Sequence, residues 1–150
     1  MAFIDPKAKI GDNVIIYENV HIAGESVIEE NVTIFPNSYI DNSIIGKGTK
    51  VYSSIIEKSV IGSCSHIGPY VSLKKGTILG NHTSVGSFCA LKNAEIGSHS
   101  KLMGHSEVLN ARLGESVFVD SGAMILGENE SNLVVIEDKK VIKSNISIIS

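Results

Sequence analysis

The chain has 150 residues, 14 of them Gly and none Trp, only 5% aromatic, with a formal net charge of −3. That length suits one domain, and an acidic balance with scattered Lys and Arg offers no basic field for nucleic acid. The opening residues MAFIDPKAKIGDN lack a basic segment followed by an apolar core, and no apolar run approaches the roughly 18 residues of a membrane span, so the expectation is a soluble, cytoplasmic protein.

Taken in order from the N-terminus, the aliphatic positions keep a strict spacing of six: Ile4, Ile10, Ile16, Ile22, Ile28, Ile34 and Ile40. The series continues through Ile45, Val51, Ile56, Ile61, Ile67, Leu73, Leu79, Val85, Leu91, Ile96, Leu102, Val108, Leu113, Val119 and Ile125, with an occasional step of five. A helix repeats its apolar stripe at three and four residues and a plain strand at two, so neither gives this period. Six is the period of a parallel β-helix, in which each block is a short strand plus a corner, three blocks close a triangular coil, and stacked coils form internal aliphatic ladders. The predicted architecture is therefore all-β, with about seven coils over residues 1–126.

The register has two internal checks. The residue two before each aliphatic position also faces inward and is small at many coils, for example Ser26, Thr49, Ser65, Thr83, Cys89, Ala94, Ser106 and Ala123. The residue after it is often Gly (Gly11, Gly46, Gly62, Gly68, Gly80, Gly86, Gly97, Gly114), as expected where backbones crowd at a strand end. Cys89 is thus a core residue and no nucleophile, and with Cys64 on another face a structural disulfide is not expected. Past Ile125 the pattern stops. Residues 127–150 contain the polar GENESN and two apolar runs around Lys139 and Lys140, read as a strand or hairpin cap on the last coil.

Stacking by threes puts Leu73, Leu91 and Val108 on a first face, Leu79, Ile96 and Leu113 on a second, and Ile67, Val85 and Leu102 on a third. Outward columns then follow, with neighbours about 4.8 Å apart. On the first face Lys74 and Lys92 are adjacent, a pair of cations that an anion such as phosphate would bridge, or else two solvated lysines. At the corner leading into that face, Tyr70, Phe88 and His105 make an aromatic wall ending in an imidazole, suited to a phosphorylated sugar and to general-base chemistry, or to packing against another subunit. A further corner column, Cys64, His82, His99 and Ser116, holds candidate metal ligands; exposed corner residues are the simpler reading, since a lateral column seldom gives tetrahedral geometry.

The run Ile67 to Gly76, IGPYVSLKKG, followed by VGSFCALKNAEIG and SKLMGHSEVLNARLGES, resembles the left-handed β-helix domain of the bifunctional N-acetylglucosamine-1-phosphate uridyltransferase/glucosamine-1-phosphate acetyltransferase family. Upstream, SVIEENVTIFPNSYIDNSIIGKGTKVYSSIIEKSVIG is similar to that family's first coils, so the likeness spans residues 10 to 126. The resemblance implies a left-handed helix and a homotrimer with acetyl-CoA and an amino-sugar phosphate bound between subunits. By position Lys74 matches a phosphate-contacting arginine and Lys92 a substrate-contacting lysine. The family's catalytic histidine falls on Gly104, with His105 one residue later, and its tyrosine falls on Glu107. Its phosphate-binding loop is replaced by GENESNLVV. The expectation is a shortened relative without the coenzyme-binding coils or the uridyltransferase domain.

Three functions are consistent with these residues. The first is acetyl-CoA-dependent acetyl transfer to an amino-sugar phosphate or nucleotide sugar, with His105 as base and Lys74, Lys92, Tyr70 and Phe88 on the substrate. The second is a non-catalytic trimeric module that binds a sugar phosphate or assembles a partner nucleotidyltransferase. A third is a metal-dependent carbonic anhydrase-like protein of β-helical type.

Overall fold

The computed structural model describes all residues 1–150. It is an all-β parallel solenoid of short strands, most of them two or three residues long, with no helix. The three aliphatic ladders run in the predicted register. Ile56 pairs with Ile40 and Leu73, Leu73 with Leu91, and Leu91 with Val108 on the first face. Ile61 pairs with Leu79 on the second face and Ile67 with Val85 on the third. The first and second faces are joined into one sheet because the strands Ala90–Ile96 and Glu107–Leu113 run through the corner without a break. Both coincide with five-residue steps, Leu91 to Ile96 and Val108 to Leu113.

Inside, the ladders form one core, with Ile22, Ile34, Ile40, Ile56, Ile67 and Leu73 fully buried. The small residues two before them are buried too, and the hydroxyls among them connect coils. Ser26 accepts from the Ser43 amide at 3.1 Å, Ser43 from Ser59 at 3.0 Å, and Thr49 from Ser65 at 3.1 Å. No buried side-chain polar atom lacks a partner, so the hydroxyls add no desolvation cost to a dry core. The glycines after the aliphatic positions mark close approach between coils. A Cβ at Gly62 would lie 2.5 Å from the carbonyl carbon and oxygen of Gly80.

Corner geometry explains much of the remaining sequence. Three residues after most second- and third-face aliphatic positions the backbone has positive φ, between about 54° and 66° at Asn13, Asn19, Asn31, Asn37, Cys64, Tyr70, His82, Phe88, His99, His105 and Ser116. Asn occupies such positions readily. Aromatic and thiol side chains do so at a cost, which draws attention to the coils that carry them.

The C-terminal residues supply the expected cap as strands that pair parallel with the preceding coil. Val134–Ile136 pairs parallel with Glu107–Leu113, Val141–Ile142 with Phe118–Val119, and Ser147–Ile149 with Met124–Leu126. The tail covers the last regular coil as another coil in the same winding: seven of the eight third-face strands lie within residues 1–126, as expected, and the eighth is Val141–Ile142. The six-residue spacing resumes at Ile136, Ile142 and Ile148 after an insertion, which hid it from a search for unbroken periodicity. No helix is long and apolar enough to cross a membrane.

Candidate functional site

The strand Ser72–Lys74 pairs in register with Ala90–Ile96, so Lys74 and Lys92 lie side by side on the outside of the first face. Both are exposed, and neither is in ion-pair contact with a carboxylate; the ion pairs of the chain involve Lys47, Lys75 and Arg112 instead. Their strands line a cavity of about 240 Å³ together with Ser72, Ala90, Val108, Leu109 and Glu107. Two ammonium groups above an apolar floor, with one carboxylate at the edge, form a site for an anion attached to a less polar body.

Tyr70, Phe88 and His105 are also brought together. The Tyr70 and Phe88 rings stack at 5.3 Å, and Phe88 and His105 at 5.1 Å, in three successive coils. Tyr70 and Phe88 are 60% and 56% exposed, so this stack is a surface and not part of the core. Phe88 and His105 line a depression of about 430 Å³ on the third face with Gly68, Gly86, Gly104 and Lys101. The histidine and the lysine pair thus border different cavities within one chain, on either side of the corner between the third and first faces.

The His82 and His99 rings stack at 5.1 Å with 8° between their planes. Imidazole lone pairs lie in the ring plane, so stacked rings direct them in parallel and not toward one ion. Cys64 is exposed in the same column, and no three His, Cys, Asp or Glu side chains converge anywhere in the chain. Both thiols are free. Cys89 is buried, its Sγ donating to the Met103 carbonyl at 3.1 Å, and burial pushes its thiol pKa up. That makes it a packing residue.

Several residues at the site were not read from the sequence as ligand-binding. Glu107 lines the lysine cavity, one coil above Ala90. Lys75, Asn93 and Asn110 line a neighbouring cavity of about 480 Å³ with Lys92 and the inserted loop. Asn93 donates to Asn110 at 2.9 Å. Extending the column count to the residue two after each first-face position, where Lys75, Asn93 and Asn110 fall, would have found this set.

Residues 7–42 match the model of the bacterial transferase hexapeptide (six repeats) family. The chain is 33% identical over 150 residues to the bifunctional protein GlmU of Shouchella clausii, covering 99% of the chain and 33% of that protein. It is 34% identical over 151 residues to the bifunctional protein GlmU of Alkaliphilus oremlandii, again with 99% and 33% covered. The chain thus spans about a third of the length of the curated relatives it matches. Among solved structures, LpxA, a UDP-N-acetylglucosamine acyltransferase from Bacteroides fragilis, superposes with a TM-score of 0.54 at 22% identity, covering 98% of the chain and 66% of LpxA. The Francisella novicida UDP-N-acetylglucosamine acyltransferase gives 0.50 at 20% identity, covering 89% and 60%. The chain has the left-handed β-helix fold, matches the bacterial transferase hexapeptide family over residues 7–42, and is similar over nearly all its length to about a third of the bifunctional GlmU proteins.

Proposed function

We propose that the chain binds a phosphorylated amino sugar or nucleotide sugar over Lys74 and Lys92 and transfers acetyl to it from acetyl-CoA, acting as a cytoplasmic homotrimer. The observation that carries this reading is the lysine pair itself: two cations in register, without ion-pair partners, beside an apolar floor. A phosphate between them gains charge-assisted hydrogen bonds from both and removes their mutual repulsion. Glu107, at the edge of the same cavity, suits an ammonium group on the sugar.

The third-face depression fits the coenzyme's narrow arm, being free of long side chains at Gly68, Gly86 and Gly104, with Phe88 as a wall and Lys101 for a phosphate. When bound, acetyl-CoA supplies the activated acyl group. The chain's own part is to hold the sugar phosphate on the lysines, to shield it with Tyr70 and Phe88, and to accept the acceptor's proton at the His105 imidazole. A second reading, a trimeric module that binds the sugar phosphate without chemistry, is supported by the separation of His105 from the lysine cavity within one chain.

Isothermal titration with glucosamine 1-phosphate, alone and with acetyl-CoA, tests both. Saturable binding of each, with acetyl transfer lost in His105→Ala, is expected. Sugar phosphate bound without any coenzyme binding selects the module. Affinity for the sugar phosphate unchanged in Lys74→Ala/Lys92→Ala overturns the anion site.

A further inference from the structure

The insertion at residues 127–133 departs from the hexapeptide pattern and folds over the lysine side of the first face. Its base is fixed: the Gly127 amide donates to the Leu109 carbonyl at 2.7 Å, and the Asn110 amide group reaches the Gly127 carbonyl at 3.4 Å. The loop is closed on itself, with the Ser131 amide donating to Asn129 Oδ1 at 2.9 Å and Asn132 Nδ2 to Glu128 Oε2 at 2.8 Å. Glu130 is held at its tip, where its carboxylate meets Lys75 Nζ at 2.6 Å. Lys75, Lys92 and Glu130 line one cavity with Asn93 and Asn110. The two ammonium groups, Lys75 foremost, hold the Glu130 carboxyl below its usual range, so it is ionised at neutral pH.

Resting on the reading above, we propose that Lys75 is a third cation of the anion site and that Glu130 is a built-in stand-in for the ligand's anionic group, which a bound phosphate displaces. Lys92 borders both the cavity of Lys74 and that of Lys75, so a phosphate on Lys92 is within the field of all three lysines. The ion pair it replaces is exposed on both sides, and exposed pairs are weak enough for a ligand to exchange with them. A phosphate monoester carries between one and two charges near neutral pH, with a second pKa of about 6, and so gains more from the cluster than the single carboxylate loses.

Displacement of an internal competitor has a signature distinct from long-range repulsion. It lowers the affinity of every anion by one common factor, whereas repulsion weakens a dianion more than a monoanion. Glu130→Gln is therefore expected to tighten binding of both glucose 1-phosphate and glucuronate by a similar factor, about two- to fivefold. Glu128→Gln removes the same charge from the loop without touching Lys75 and is expected to do much less. Lys75→Ala is expected to weaken phosphate binding more in the Glu130→Gln background than in the unaltered chain, where Lys75 is already occupied.

The experiment is titration calorimetry of the full chain and these variants with both sugars, alongside Lys74→Ala/Lys92→Ala. A Glu130→Gln chain that binds no tighter, or a Glu128→Gln chain that gains as much, overturns the inference. If binding is already lost in the double lysine variant while Glu130→Gln has no effect, this inference alone falls. If the double lysine variant binds as the unaltered chain does, the anion site falls with it. Circular dichroism of each variant confirms that the exposed substitutions leave the coils intact.

Discussion

Phe88 stacks on His105 from the coil below, with ring centroids 5.1 Å apart and 16° between the planes, and both residues hold positive φ, 61° and 62°. Equivalent corners in the N-terminal coils carry Asn19 and Asn37 at 57° and 66°. The chain therefore places an aromatic ring and an imidazole in a backbone conformation that Asn takes more easily, in the coils that border the candidate site. Restoring Asn should separate stability from function. Relief of the left-handed penalty, about 1–2 kcal/mol, opposes loss of stacking of about 0.5–1.5 kcal/mol. Phe88→Asn and His105→Asn are expected to leave stability within about 1 kcal/mol of the unaltered protein while the proposed acetyl transfer is lost. Thermal denaturation and a transfer assay read the two effects.

Coil spacing predicts a contrast between two glycines. Gly62→Ala forces a Cβ to within 2.5 Å of the Gly80 carbonyl in the next coil, where only backbone movement can relieve it. Gly76 has φ of 80° but nothing within 4 Å of an added Cβ. Gly62→Ala should cost at least about 2 kcal/mol, and Gly76→Ala about 1 kcal/mol from its backbone conformation alone. Urea unfolding of the two variants checks the order, and equal losses would remove the close-approach account.

The two thiols should behave oppositely. Cys64 is exposed at a corner, whereas Cys89 is buried with its pKa pushed up. Native alkylation near pH 8 should modify one thiol per chain, at Cys64, and both only after unfolding. The sign of the linkage follows: with the folded pKa above the unfolded one, the stability tied to the neutral Cys89 thiol is complete below the ordinary thiol range and falls as pH rises through it. Cys89→Ala should flatten that alkaline decline, as measured by unfolding midpoints on both sides of the range.

His66 gives a change in the acid direction. It caps a stack formed by Tyr17, Phe35 and Tyr52, with the Tyr52 and His66 rings 4.6 Å apart. Burial, and then the neighbouring Lys50 charge, lower its pKa. Here the folded pKa lies below the unfolded one, so the associated stability is present above about pH 6.5 and is lost as pH falls through the folded value. His66→Tyr should extend the stack and reduce the slope of the unfolding midpoint between pH 7 and 5. An unchanged slope would locate the acid sensitivity elsewhere.

What the sequence determined by itself was the winding. Ile4 to Ile125 recur at six residues, and inward side chains in a narrow prism have few alternatives to the register in which Leu73 meets Leu91 and Ile67 meets Val85. Because stacked coils convert spacing directly into neighbours, the outward columns Lys74–Lys92 and Tyr70–Phe88–His105 were legible too. Three things needed the tertiary structure. The last coil was hidden because the 127–133 insertion breaks the spacing, and only parallel pairing of Val134–Ile136 with Glu107–Leu113 restores it. The division of His105 and the lysines between separate depressions depends on the angle of the corner, which periodicity does not encode. The contact between Glu130 and Lys75 joins residues far apart in the chain through a loop with no repeat to count, so only its folding over the first face could bring carboxylate and ammonium together.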